Sequence, residues 1–113
     1  MIHLSINKIP IEVIYTDGYE IWRNLVIEKA HRDNEGTWVG IRKSLILTAI
    51  DRNVKLLNIT VLDCDLDFSI SPEEFKSKSK KLDMPSKYAG SFQLYLYPIS
   101  NLVMEKNKEK MEE

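Results

Sequence analysis

The chain has 113 residues, of which 43% are hydrophobic and 29% charged, so it can build one globular domain and is neither disordered nor fibrous. Sixteen basic and seventeen acidic residues give a net charge of -1, which excludes a global field that attracts nucleic acid or acidic membranes. The single cysteine, Cys64, excludes an internal disulfide framework, and no apolar run approaches the roughly 18 residues of a membrane span. We therefore expect a cytoplasmic, unprocessed protein without membrane contact.

The first third of the chain is typical of short strands. Residues 1–16 alternate between apolar and polar positions but change parity around Pro10, which indicates a bulge or an edge strand. Asp17 and Gly18 then separate two alternating runs and predict a hairpin, because glycine adopts the positive φ of a type I′ turn. A returning strand is predicted from Tyr19 to Lys29, and after a polar connection a third strand is predicted from Thr37 to Arg42.

The middle of the chain holds an ambiguous segment and a change of parity. Residues 44–57 can form a helix capped by Ser44 or two strands joined at residues 52–53, and we favour the strands. From Leu57 to Phe68 the apolar residues change parity between Val61 and Leu62. Because a strand cannot exchange its two faces without a bulge or a break, we expect the chain to turn a corner there.

A helix and a closing strand are predicted in the last third. Ser71 with Glu74 forms a capping box around Pro72, which predicts one short helix from Pro72 to Lys81. Phe92 to Tyr97 alternates as a strand, with Phe92, Leu94 and Leu96 expected to face the core. Residues 105–113 hold no large apolar residue except Met111, so we expect a frayed helix or a disordered tail.

These elements predict one mainly β domain over residues 1–104, with an α+β fold as the alternative. We expect a small antiparallel barrel or a compact sandwich of about five to seven strands with one short helix against it. The hairpin at Asp17-Gly18 followed by Leu25, and the closing segment from Tyr95 to Val103, resemble the small SH3-type and Sm-like barrels. The resemblance implies a strongly bent sheet. It transfers no binding residue, because the Sm pattern's glycine and its arginine-glycine motif have no match.

The carboxylates give weak signals for catalysis. Asp63, Asp65 and Asp67 are expected to line one strand face about 7 Å apart, as a solvated comb rather than a metal site. Glu74 and Lys76 have the spacing of a metal-dependent nuclease, but the predicted helix cap uses Glu74 instead. We therefore expect no metal, no cofactor and no enzyme; a metal-dependent nuclease or hydrolase using these three aspartates with Glu74 is the third alternative.

Two surfaces are candidates for binding. A protein-binding patch is predicted at Trp22, Trp38, Tyr95 and Tyr97, because the tryptophans take the parity opposite to the aliphatic residues of their strands. The alternative is a surface for single-stranded nucleic acid, in which lysines touch phosphates and tyrosines stack on bases. Its residues are Lys76, Lys78, Lys80, Lys81, Lys87, Tyr88, Tyr95 and Tyr97.

The favoured function is that of a small non-catalytic binding protein. We expect it to act through protein-protein contacts as a regulator, inhibitor or accessory factor, with a homodimer as one form it can take. Single-stranded RNA or DNA binding is the runner-up. A small stand-alone domain also suits a protein encoded by a virus or a mobile element.

Overall fold

The computed structural model describes residues 11–86 and 90–112, which form eight strands and three helices. The strands are β1 Glu12–Thr16, β2 Tyr19–Ile27, β3 His31–Asp33, β4 Gly36–Arg42, β5 Val54–Val61, β6 Leu66–Ile70, β7 Lys80–Ser86 and β8 Gly90–Pro98. The helices are α1 Lys43–Asp51, α2 Pro72–Lys78 and α3 Ser100–Glu112, and Leu62–Cys64 is a single 3₁₀ turn.

The strands form two four-stranded sheets. The first sheet has the order β1-β2-β5-β6 and the second the order β3-β4-β8-β7. Strands β2 and β5 run parallel, whereas the other pairs are antiparallel. The prediction of a small, mainly β domain is confirmed, with the strands curled into a half-barrel. Residues 11–86 and 90–112 hold eight strands and three helices, more than the five to seven strands and one short helix expected.

The predicted first hairpin is confirmed. Tyr15 pairs with Glu20 and Thr16 with Tyr19, which leaves Asp17 and Gly18 as the two turn residues. Their φ angles of 55° and 82° are the positive values that a type I′ turn requires. The polar connection expected after β2 is itself a tight hairpin, in which β3 pairs with the start of β4.

A β-bulge in β2 explains the position of Trp22. Arg23 and Asn24 together face the single residue Asn58 of β5, and Asn24 has a φ of 66°. The extra residue resets the parity of the strand, so Trp22 and Leu25 both point into the core. The sequence expectation that Trp22 lies opposite the buried aliphatic residues is therefore wrong.

The corner predicted between Val61 and Leu62 is present as a reversal of the chain. Strand β5 ends at Val61, the 3₁₀ turn follows, and Asp65 with a φ of 49° starts the return into β6. Strands β5 and β6 then pair antiparallel, from Leu57 with Ile70 to Val61 with Leu66. The change of parity thus marks the end of one strand and the start of the next.

The favoured strand structure for residues 44–51 is wrong, because this segment is helix α1. Ile46 and Ala49 are fully buried at helical spacing, and the N-cap position is Arg42 rather than Ser44. Asn53, with a φ of 59°, closes the turn that leads into β5.

Helix α2 begins as predicted and ends early. The Ser71 hydroxyl accepts a hydrogen bond from the Glu74 amide at 3.2 Å, and Pro72 follows at the first helical position. The helix ends at Lys78 rather than Lys81, because the chain from Lys80 onward pairs with β8 as strand β7. Residues 105–112, expected as a frayed helix or a disordered tail, belong to helix α3.

A stack of three aromatic rings joins the two sheets. Tyr97 of β8 lies 5.9 Å from Phe68 of β6 and 5.2 Å from Phe75 of α2, measured between ring centroids. Phe75 is fully buried, and aromatic rings bury more apolar area than other side chains. The stack therefore fixes α2 and the edge of the first sheet against the second sheet.

Helix α3 is anchored to the start of β4. The Thr37 amide donates to the Ser100 hydroxyl at 2.9 Å, and the Ile99 amide donates to the Thr37 carbonyl at 2.9 Å. Gly36 lies against this anchor with a φ of 141°, and a Cβ atom there would lie 2.5 Å from the Ser100 hydroxyl oxygen. Glycine is thus required both for the backbone conformation and for the close approach.

We expect Gly36→Ala to destabilise the protein by about 2 to 3 kcal/mol, because it combines backbone strain with a steric clash. Gly18→Ala is the matched control, since its φ is 82° but no atom lies within 4 Å of the added Cβ. It should cost only about 1 kcal/mol. Urea titration gives the free energy of unfolding of both variants. An equal loss of stability in Gly36→Ala and Gly18→Ala would contradict the role given to Ser100.

Candidate functional site

Two of the four aromatic residues predicted to form a protein-binding patch are core residues. Trp22 is 4% exposed and Tyr95 is 2% exposed. The Trp22 indole donates to the carboxylate of Glu20, and Arg52 lies over its ring at 5.5 Å. Strand β8 is covered on both faces, because the neighbouring residues Tyr95 and Leu96 are both buried. The alternation of apolar and polar residues along β8 therefore does not indicate which of its side chains are exposed.

The other two predicted aromatic residues, Trp38 and Tyr97, are half-buried, and they contact different neighbours. Tyr97 is held between Phe68 and Phe75 in the aromatic stack. Trp38 lies on β4 beneath the ammonium group of Lys80, which is 4.1 Å from its ring centroid. The structure therefore does not bring the four predicted residues together as one exposed patch.

The predicted lysine surface is divided between a helix and a strand. Lys76 and Lys78 lie in the last turn of α2, and Lys80 and Lys81 lie at the start of β7. Lys78 pairs with Glu74 at 2.9 Å, so part of its charge is balanced within the helix. Lys87 and Tyr88 fall outside the described residues.

Lys80 belongs to a cluster around Asp33. Its ammonium group lies 2.7 Å from Asp33 and 2.8 Å from Glu35. The other oxygen of Asp33 accepts hydrogen bonds from the Trp38 indole at 2.9 Å and from the Glu35 amide at 2.9 Å. The hydrogen bond from Lys80 holds the pKa of Asp33 well below its usual range, and the same contact raises the pKa of Lys80.

The predicted comb of three aspartates does not form. Asp63 lies in the 3₁₀ turn, Asp65 caps that turn in a left-handed conformation, and only Asp67 lies within a strand. Their partners also differ, since Asp65 lies 3.4 Å from Lys106 and Asp67 accepts from Thr60. Among the described residues no group of three or more His, Cys, Asp or Glu side chains is placed to hold a metal ion.

Asp63 connects the two sheets through Arg32. It accepts from the Arg32 guanidinium at 2.9 Å and from the Ala30 amide at 3.0 Å, while the Cys64 thiol donates to it at 2.9 Å. The arginine hydrogen bond lowers the pKa of Asp63 to about 2. Burial, followed by the contact with Asp63, raises the pKa of the Cys64 thiol.

These two shifts oppose catalysis at Asp63 and Cys64. A general base needs a pKa near the working pH, and a nucleophilic cysteine needs a lowered pKa. The pKa of Asp63 is instead lowered and that of Cys64 is raised. Cys64 is a half-buried residue of the turn.

A groove lies between strand β6 and helix α3. It has a volume of about 370 Å³ and is lined by Leu66, Asp67 and Phe68 on the strand side and by Leu102, Glu105 and Lys106 on the helix side. Strand β6 is the last strand of the first sheet in the part of the chain that the structure describes. We call this site the β6–α3 groove.

The β6–α3 groove combines an apolar floor with an acidic rim. Leu66 and Phe68 point toward the core side of β6, and Phe68 rests on Tyr97 of the aromatic stack, so the floor is rigid. Asp67 and Glu105 are exposed at the rim, where Lys106 is the basic residue. The groove can therefore accept an apolar side chain next to a cation.

Sequence reasoning missed the β6–α3 groove. The sequence predicts a domain over residues 1–104 without a helix at its end, although Leu102 and Val103 both pack against the core. Only the spacing of Ile99, Leu102 and Val103, which is typical of one face of a helix, indicates a helix that returns to the sheet. No local pattern shows that this helix lies beside β6, because the contact joins elements distant in sequence.

Two other hollows occur on the described surface. One, of about 240 Å³, lies between the start of α1 and β8 and is lined by Arg42, Lys43, Ser44, Leu47, Phe92 and Gln93. Arg42 lies 4.3 Å above the Phe92 ring there. The other, of about 340 Å³, lies beside the β-bulge at Asn24. The first hollow contains no residue of β6, whereas the second is lined partly by Asp67, Phe68 and Ser69 of β6 but by no residue of α3.

Comparison with known proteins found no matching family model, no similar curated protein and no similar solved structure. Among the described residues, no helix is both long enough and apolar enough to cross a bilayer.

We expect Asp63→Asn to lower the stability at pH 6 by about 1 kcal/mol, after allowance for solvent screening. Because the pKa of Asp63 falls from 3.8 to about 2 on folding, its contribution is complete above about pH 5 and is lost as the pH falls toward 2. Urea titrations of wild type and variant should therefore converge between about pH 5 and pH 2. Asp51→Asn, at an exposed residue, is the control. A difference in stability between wild type and Asp63→Asn that stays constant with pH would contradict the assignment.

Proposed function

We propose that this chain is a non-catalytic binding protein that takes an extended segment of a partner protein into the β6–α3 groove. The observation that carries the proposal is the position of the groove. It lies along an edge strand, with an apolar floor beneath it and a helix as its second wall.

An edge strand binds extended chain because its outward N–H and C=O groups are free for a new ladder. Strand β6 has five residues, which is enough to align a short segment. Helix α3 then restricts where the segment's side chains can lie. Main-chain pairing supplies affinity in such grooves, and the pockets for alternate side chains supply specificity.

The chemistry of the groove favours a particular kind of segment. Leu66, Phe68 and Leu102 offer an apolar surface to one side chain, and the rim carries the carboxylates of Asp67 and Glu105. Opposite charges across an interface steer the encounter and fix the register. We therefore expect a segment that alternates apolar residues with Lys or Arg.

The observations support nucleic acid binding less well. Lys78 and Lys80 are paired with carboxylates, and Tyr95 is buried, so its ring is not presented to an unpaired base. Binding to single strands relies on unmatched positive charge together with exposed aromatic rings. Lys76 and Lys81, which are both exposed, remain for that role.

Selection from a phage-displayed random peptide library tests the proposal. We expect enrichment of peptides with alternating apolar and basic residues. Leu102→Ala should weaken the best peptide about tenfold through lost apolar contact, and Glu105→Lys about fivefold through charge reversal. Fluorescence anisotropy of the labelled peptide gives the dissociation constants.

Glu28→Lys is the matched control, since Glu28 is an exposed acid outside the groove and should leave the affinity unchanged. Circular dichroism checks that each variant is folded. If no peptide is enriched, or if the selected peptides ignore both groove substitutions, the proposal is wrong. Binding of a labelled oligothymidine that weakens steeply with salt and is lost in Lys76→Glu would favour the nucleic acid function instead.

A further inference from the structure

The opposite edge of the first sheet carries a second surface. Within residues 11–86 and 90–112, no strand pairs with the outer side of β1. Val13 and Tyr15 of this strand are 36% and 68% exposed. An open edge with exposed apolar residues is a template for pairing with another chain.

Strand β1 lacks the features that protect the two edges of the second sheet. Its sequence from Glu12 to Thr16 contains no lysine, proline or glycine. By contrast, edge strand β7 carries Lys80, Lys81 and Pro85, and edge strand β3 has only three residues. Lysine, proline and shortness are the usual means of preventing edge pairing, so the sequence of β1, like that of β6, permits it.

We propose that β1 pairs antiparallel with β1 of a second copy of this chain, with Ile14 on the two-fold axis. In this register Val13 faces the partner's Tyr15, and Glu12 faces the partner's Thr16. Aliphatic-aromatic pairs stabilise a sheet, and no like charges meet. The Glu12 carboxylate is already held by the Asn24 amide at 3.3 Å.

The apolar rows of the first sheet support this register. Leu56 pairs with Ile21, and Ile21 pairs with Ile14, so three aliphatic side chains form one row that ends at the edge. A second copy centred on Ile14 continues the row with its own three residues. A shift by one residue would instead join the inner face of one sheet to the outer face of the other.

Disulfide formation tests the register. In a Cys64→Ser background, Ile14→Cys places two thiols directly opposite each other, at a Cα separation of about 5 Å that a disulfide can span. Thr16→Cys is the matched control, since the two copies of residue 16 would lie about 14 Å apart along the strands. We expect oxidation to link the Ile14→Cys protein into covalent dimers and to leave the Thr16→Cys protein unlinked.

Sedimentation of the protein with its natural sequence provides an independent test. We expect a species of twice the 13.2 kDa chain mass, with a dissociation constant that Tyr15→Lys raises about tenfold. Leu62→Lys, at a residue 56% exposed in the 3₁₀ turn, should leave the constant unchanged. A protein that stays at 13.2 kDa at high concentration overturns the proposal, as does a dimer insensitive to Tyr15→Lys or linked through Thr16→Cys. Peptide binding at the β6–α3 groove is a separate readout.

Discussion

Contact among Phe68, Tyr97 and Phe75 is the interaction on which the rest of the fold depends. The three rings belong to an edge strand, an inner strand of the other sheet and a helix. Since each of these elements is too short to be stable alone, mutual burial of their aromatic area fixes their positions. The same stack supports Phe68 from below, so the floor of the β6–α3 groove is as rigid as the core.

The charged side chains mainly join elements to each other. Arg32 of β3 reaches Asp63 in the turn of the first sheet, and Lys80 of β7 reaches Asp33 at the end of β3. Exposed ion pairs of this kind add little stability singly, but they fix the orientation of short elements. Among the described residues, these ion pairs also engage Lys80 and Asp63, which the sequence analysis assigned to a lysine surface and a row of aspartates.

The sequence was sufficient for features that depend on neighbouring residues. The turn at Asp17-Gly18, the cap at Ser71 and the break after Val61 follow from local backbone and hydrogen-bonding preferences. The sequence was insufficient for features that depend on contacts between residues far apart along the chain. The burial of Trp22 depends on a bulge opposite Asn58, the helix at residues 44–51 depends on burial of Ile46 and Ala49, and the β6–α3 groove depends on where α3 lies.

Strands β1 and β6 occupy opposite ends of the same sheet, with β2 and β5 between them. A ligand at one end therefore leaves the other end accessible. Two copies joined at β1 would form a continuous eight-stranded platform whose two grooves lie about 34 Å apart, at roughly 4.8 Å per strand. A partner that carries two binding segments on a tether of matching span would gain avidity from their raised effective concentration.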